Sequence, residues 1–359
     1  MGKIILGLLC LTASAYANDV LTAAASTSKQ TSNQRKTSYD TDLFHKDQKV
    51  YFVNAEFLYW IVNEGALDYA LQMKNPAWGN PTQGVGHYKI IDFDWSPGFR
   101  LNIGYFNAPH YWDTYLQFTH FKGRGDSDAK TRNVPNEFLN GTWPQPSFDL
   151  NGAPLAKARA KIELRFNLLE GLFSRRFHPN PHLRMRLLGG GAVLWLRQNW
   201  EVDYRDTAGQ KSHIRNHWRF TGAGIRVGYM VDWFLGRGGF FFTGLVSGTI
   251  YAGSYHNVSR QTSTATGNGQ FNPALPLRNV HYHDTRLVPQ LQALAGPSWQ
   301  MGFGKYRTEL FIGYELNLLA NLHEVYRTTT AGPTGAKETR INSSLVCMQG
   351  GTLRWNFDF

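Results

Sequence analysis

The last ten residues, GGTLRWNFDF, constrain the fold more than any other stretch. Leu353, Trp355, Phe357 and Phe359 fall on one face of a strand, and Thr352, Arg354, Asn356 and Asp358 on the other, because strand side chains alternate with period two. A soluble sandwich rarely ends its chain on such a strand. Outer-membrane barrels do, and their closing strand carries an apolar lipid face and a terminal aromatic residue that the barrel-assembly machinery reads. Leu353, Trp355, Phe357 and Phe359 are therefore the expected assembly signal.

The other end points the same way. MGKIILGLLCLTASAYA has a positive start at Lys3, a short apolar run and an A-x-A site at residues 15–17. Residues 1–17 are the expected signal peptide, and the apolar run is too short for a membrane-spanning helix. Leu9 stands where a lipoprotein signal needs a small residue, so Cys10 is not read as a lipid anchor. Its removal leaves Cys347 as the only cysteine, which allows no intrachain disulfide. Residues 18–49 are polar and low in complexity, as expected of a flexible periplasmic leader. Residues 50–359 form the expected barrel domain.

The composition fits. Hydrophobic residues make up 42% and mean hydropathy is −0.38, yet no stretch after the signal is apolar over helix-spanning length. That leaves an exported soluble protein or a membrane β-barrel, in which alternation dilutes the apolar residues. Aromatics at 14% suit interfacial girdles. The net charge of +11 is spread among strands rather than clustered, so nucleic acid is not an expected partner.

Period-two alternation recurs along the chain. It places Tyr51, Val53, Phe57 and Tyr59 opposite Asn54 and Glu56, and Phe99, Leu101 and Ile103 opposite Arg100 and Asn102. Similar sets are Ile162, Leu164, Phe166 and Leu168 against Lys161, Glu163, Arg165 and Asn167; Leu183, Met185 and Leu187 against Arg184 and Arg186; and Leu310, Ile312, Tyr314 and Leu316 against Arg307, Glu309 and Glu315. Short connections at 107–110, 178–181, 235–238 and 302–304 alternate with long polar ones at 74–86, 122–158, 204–215, 257–283 and 328–342. The expected fold is all-β: an antiparallel up-and-down transmembrane β-barrel of about ten strands, with short periplasmic turns and long extracellular loops. Twelve strands result if segments 66–73 and 88–94 count separately. The run GGGAVLWLRQNW at 189–200 is apolar on both faces and reads as a bulge or bend.

An Arg or Lys on the lipid face costs about 2–4 kcal/mol at the bilayer midplane. The interior is therefore the expected place for Glu56, Arg100, Asp113, Lys161, Glu163, Arg165, Arg184, Arg186, Arg226, Arg307, Glu309, Glu315 and Arg354. These are the pore-lining candidates. Two interiors are open at this point: a water-filled channel, or a plug in which the charges pair with one another, since barrels of about eight strands fill with their own side chains. His281 and His283 share one strand face but lack a set of further ligands, so no metal is expected. Gly222, Gly224 and Gly228 sit within a strand pattern with no helix after them, which reads as tight interstrand packing rather than a dinucleotide loop.

AEFLYW near residue 55, WSPGFRLNIGY, the hairpin over 158–200, WRFTGAGIRVGYMVDWFLGRG, GYELN and RWNFDF together resemble the Legionella-type major outer-membrane protein family, which includes MOMP-like porins of environmental chlamydiae. The resemblance covers residues 51–359. It implies a pore-forming barrel of the Gram-negative outer membrane that passes small hydrophilic solutes or ions, with no catalytic residues, no enzyme activity and no cofactor. Basic residues outnumber acidic ones among the pore-lining candidates, so a mild anion preference is expected of the pore. The partners expected are outer-membrane lipid and lipopolysaccharide, the barrel-assembly machinery, the solutes and, in a homo-oligomer, further copies of the chain. Two other readings stand beside it. One is a structural or adhesion barrel acting through its surface loops. The other is a surface enzyme built on Asp203, Asp206, His281, His283 and Asp284.

Overall fold

A computed structural model describes residues 49–74, 86–107, 110–131, 137–143, 155–236, 238–264, 278–328, 338–342 and 345–359. The expected signal peptide, and the expected leader apart from Lys49, lie outside the described residues. The described residues form fifteen strands: β1 (Val50–Glu64), β2 (Asp68–Lys74), β3 (Gly86–Ile90), β4 (Ser96–Asn107), β5 (Trp112–Lys130), β6 (Glu137–Gly141), β7 (Leu155–Asn180), β8 (Leu183–Asp206), β9 (Lys211–Phe234), β10 (Phe240–Ser263), β11 (Arg278–Phe303), β12 (Tyr306–Ala320), β13 (Glu324–Thr328), β14 (Glu338–Asn342) and β15 (Leu345–Asp358).

Ten of them close a ring. The antiparallel ladder runs β7-β5-β4-β1-β15-β12-β11-β10-β9-β8, and β8 pairs back onto β7. The seam between the first and last strands continues past the ladder, since Tyr51 and Phe359 exchange backbone hydrogen bonds of 2.9 Å in both directions. The segments that allowed a count of twelve do form strands. They do not enter the ring: β2 pairs with β3 and β6 beside the loop end, and β6 touches β7 at one position. The hairpin β13–β14 stands as a separate ladder.

Four of the long connections are shorter than the sequence suggests, because their outer parts are strand. β5 runs to Lys130, β7 starts at Leu155, and β8 and β9 are joined by only residues 207–210. β7 and β11 reach 26 residues, whereas about 9–11 cross a bilayer. The wall therefore rises well beyond the membrane at the loop end, which is extracellular by the usual rule for such barrels.

This extension inverts the polarity of the wall. Near the turn end of β7, Leu169, Phe173 and Phe177 face out while Glu170, Ser174 and Arg176 are buried inside. Towards the loop end the same two faces exchange character. Lys161, Glu163 and Arg165 face out, and Ile162, Leu164, Phe166 and Leu168 are buried in the interior. The expectation that these four apolar residues meet lipid, and the three charged ones the lumen, is thus corrected. Outside, lipid gives way to water partway up the strand, and inside, a water-surrounded barrel needs an apolar core. The run at 189–200 has the same cause. Gly189, Gly190 and Gly191 pair in unbroken register with both neighbours, so there is no bulge. Val193 and Trp195 face out, while Leu194 and Leu196 face in. Gly222, Gly224 and Gly228 do mark close packing, since a Cβ at Gly224 would collide with the Ile250 backbone oxygen.

Candidate functional site: the barrel lumen

The lumen is stacked in three layers. At the turn end, β8 and β9 place Arg184 opposite Asp232, 2.8 Å apart, and Arg186 reaches the same carboxylate at 3.1 Å. Arg307 pairs with Asp358 and lies 3.6 Å from Glu309, which also holds Arg354 at 3.2 Å. On the other side Asp113 accepts from Arg176 and Ser174, each at 2.8 Å.

In the middle layer Arg100 bridges two carboxylates, Glu56 at 2.6 Å and Glu315 at 2.7 Å, and donates to Thr119 at 3.0 Å. Thr352 adds a bond of 3.0 Å to Glu315. Arg226 pairs with Glu170 and donates to Ser247 at 2.8 Å. All of these charges except the partly exposed Arg186 are buried, and each arginine in the two layers has a carboxylate partner, as the cost of burying a lone ion requires.

Above lies an apolar layer. Trp60 packs on Phe121 with ring centroids 5.4 Å apart, Trp143 meets Trp200 edge-on at 4.3 Å, and Trp218 lies 5.9 Å from Tyr255. Arg100 ties the layers together, its guanidinium 5.7 Å from the Trp60 ring. At the top of this layer Arg286 pairs with Glu324 at 2.6 Å and covers the Tyr255 ring at 3.6 Å. Glu64 is reached by Gln198 at 2.7 Å and His323 at 3.1 Å.

Between the two charged layers remains a cavity of about 70 Å³, bordered by Arg100, Arg186, Arg226 and Arg354 and by Glu56 and Asp113. It has room for a few water molecules. The Oδ1 atoms of Asn54 and Asn102 and the Nε atoms of Arg186 and Arg226 border it without a protein hydrogen-bond partner, so the cavity is polar.

Ten of the thirteen pore-lining candidates thus sit inside: Glu56, Arg100, Asp113, Arg184, Arg186, Arg226, Arg307, Glu309, Glu315 and Arg354. Lys161 and Glu163 instead border an open groove of about 480 Å³ on the outer wall, beside Asp126 and Glu201. Arg165 stands exposed outside, 2.6 Å from Glu163. The sequence reading missed Glu170 and Arg176. The outward Phe173 and Phe177 carried the signal, because their parity puts both residues inside. The assembly-signal residues Leu353, Trp355, Phe357 and Phe359 all turn to the outer face as expected.

The residues of the enzyme reading do not converge. Asp203 and His213 meet at 2.7 Å on the outer wall, Asp206 turns inward, and His281 and His283 face out from β11, three strands away from β8.

Residues 46–359 match the model of the family described as the Legionella pneumophila major outer membrane protein precursor. The chain belongs to this family. It is an outer-membrane β-barrel protein. No curated protein matches it. Among solved structures it is similar to the outer membrane protease OmpT from Escherichia coli, at 8% identity over 89% of this chain and 99% of that one, with a TM-score of 0.39. A Pseudomonas aeruginosa FadL homologue is 8% identical over 87% of this chain and 90% of that one, with a TM-score of 0.21. The TodX monoaromatic hydrocarbon channel, in a deltaS2S3 mutant form, gives the same identity, coverage and TM-score.

Proposed function

We propose that this outer-membrane barrel is a narrow, gated pore for ions and very small hydrophilic solutes, and has no catalytic role. The observation that carries this reading is the polar cavity ringed by Arg100, Arg186, Arg226 and Arg354 in the middle of a charged lumen. Ion-paired interiors are rarely better for stability than apolar ones of the same volume, so a barrel serving only as a scaffold has little use for stacked charged layers. The aromatic layer built on Trp60 and Phe121 is the gate, since apolar constrictions block ions by excluding water. A wide diffusion channel is not compatible with so filled a lumen.

The test is single-channel recording in planar bilayers. The wild-type chain should give rare, small openings. Trp60→Ala and Phe121→Ala should raise open probability or conductance. Folded, inserted protein that stays silent with both substitutions would sink the pore and leave the second reading, a structural barrel acting through its extracellular extension. That reading is favoured by the same apolar layer, which packs as a soluble core does.

A further inference from the structure

Six cationic or titratable side chains stand side by side across the outer wall. Lys122 of β5 is opposite Arg165 of β7, Arg165 opposite Arg197 of β8, and Arg197 opposite Arg219 of β9. Arg219 is opposite His256 of β10, and His256 opposite His283 of β11. All six turn outward. Neighbouring strands lie about 4.8 Å apart, so the row extends over roughly 24 Å. Like charges directly opposite one another destabilise a sheet. Glu163 relieves one end, at 2.9 Å from Lys122 and 2.6 Å from Arg165. Among the described residues no carboxylate pairs with Arg197 or Arg219. The crowding is felt nearby: burial and then Arg219, His283 and His281 hold His256 below its ordinary value.

The row also marks a boundary. One or two outward positions further towards the turn end, the same strands present Leu169, Trp195, Ala223, Ala252 and Leu287, and the lipid face begins. A molecule that satisfies the arginines from this position therefore has room for acyl chains against the wall directly beneath.

We propose that Arg165, Arg197 and Arg219, with Lys122 beside them, bind the phosphate groups of a phosphorylated lipid headgroup in the outer leaflet. The guanidinium fork matches phosphate bidentately, and the row supplies several in succession. An acidic protein or a free anion would meet the same charge but would leave the adjoining lipid face unused.

The experiment titrates the purified full chain in detergent micelles with diphosphorylated lipid A and reads bound lipid by native mass spectrometry. Arg197→Gln combined with Arg219→Gln should weaken binding about tenfold at roughly physiological salt. Arg205→Gln combined with Lys211→Gln removes the same charge at the loop end and should leave binding unchanged. Dephosphorylated lipid A should bind the wild type no better than it binds the double variant, and excess inorganic phosphate should not displace the diphosphorylated lipid. Undiminished binding by the double variant overturns the proposal, as does an equal loss in the loop-end control. Displacement by inorganic phosphate would show a free-anion site instead, which also overturns it. Circular dichroism reports folding. If the double variant does not fold, Arg219→Gln alone serves, with a loss of about threefold expected.

Discussion

Arg184 of β8 and Asp232 of β9 stand directly opposite each other across the ladder, 2.8 Å apart, with neither side chain exposed to solvent. Asp232 also holds Arg186 and accepts from Thr243 at 2.7 Å. One carboxylate thus neutralises two guanidinium groups, that of Arg184 fully buried and that of Arg186 partly exposed. Asp232→Asn should cost about 3–5 kcal/mol, the usual penalty for leaving a buried charge without its partner. Urea unfolding in lipid vesicles measures it. Replacing Arg184 and Asp232 together by Met and Leu should cost clearly less than Asp232→Asn. If the joint variant loses as much or more, the pair is not what holds this layer.

The inverted wall gives a second prediction. Ile312 faces lipid on β12 and is 63% exposed in the isolated chain. Ile312→Arg should lose about 2–4 kcal/mol of insertion stability. Arg165→Leu, outside the barrel above the lipid face, should insert normally. Leu164→Arg should fail for a different reason, because it buries a lone cation in the apolar layer rather than meeting lipid. Tolerance of Leu164→Arg alongside full insertion would contradict the interior placement of that face.

Why the ring was legible and the extension was not follows from these same strands. On β12 and β15 the apolar face meets lipid over most of its length, so Leu310, Ile312, Leu353 and Trp355 read correctly. Period two tells which residues share a face. It does not tell which face meets water, and above the bilayer the answer reverses. Leu164 and Leu316 look alike in sequence, yet one points in and the other out. The available signal was adjacency: Leu168-Leu169 on β7, and Val193 to Leu196 on β8, are apolar on both faces because there the lumen is already apolar while the outside is still lipid. Read that way, Lys161, Glu163 and Arg165 lie beyond the crossing and cannot line the lumen. The open or plugged interior was not legible at all, because pairing across the lumen, such as Arg100 with Glu315, depends on strands 215 positions apart.

His217 offers a pH handle on the extracellular wall. Burial first, and then Arg215, Arg219 and Arg197, lower its pKa from 6.5. The folded state therefore takes up its proton at lower pH than the unfolded chain. Its contribution to stability is present above 6.5 and is lost as pH falls through and below that value. Arg219→Gln should raise the His217 titration point, read by NMR of the histidine ring. No movement would mean that the arginines do not crowd it.

Selectivity should follow the cavity rather than the whole lumen. Four arginines and two acids border it, and basic rings favour anions. Reversal potentials across a salt gradient should show mild anion preference that fades at high salt, where the screening length shortens to about 3 Å at 1 M. Arg186→Gln should shift the preference towards cations, because Arg186 borders the cavity. Arg184→Gln should act mainly on stability, because Arg184 does not. Equal shifts from both would mean that ions follow another path.

The seam carries the last prediction. Phe359 exchanges two backbone hydrogen bonds with Tyr51 and stacks on its ring at 6.3 Å, with Phe357 a further 6.1 Å neighbour. Deleting Phe359 removes both bonds and shortens the aromatic row where the first and last strands close the ring. The fraction that resists denaturation in SDS until heated should fall, and degradation during export should rise. Phe359→Tyr keeps the backbone bonds and an aromatic ring, and should assemble nearly as well as the wild type. Phe359→Ala keeps the bonds but not the ring, so it separates the two contributions: assembly close to wild type assigns the effect to the seam bonds, and assembly as poor as the deletion assigns it to the aromatic face. A deletion that assembles normally would show that closure of β1 on β15 needs neither.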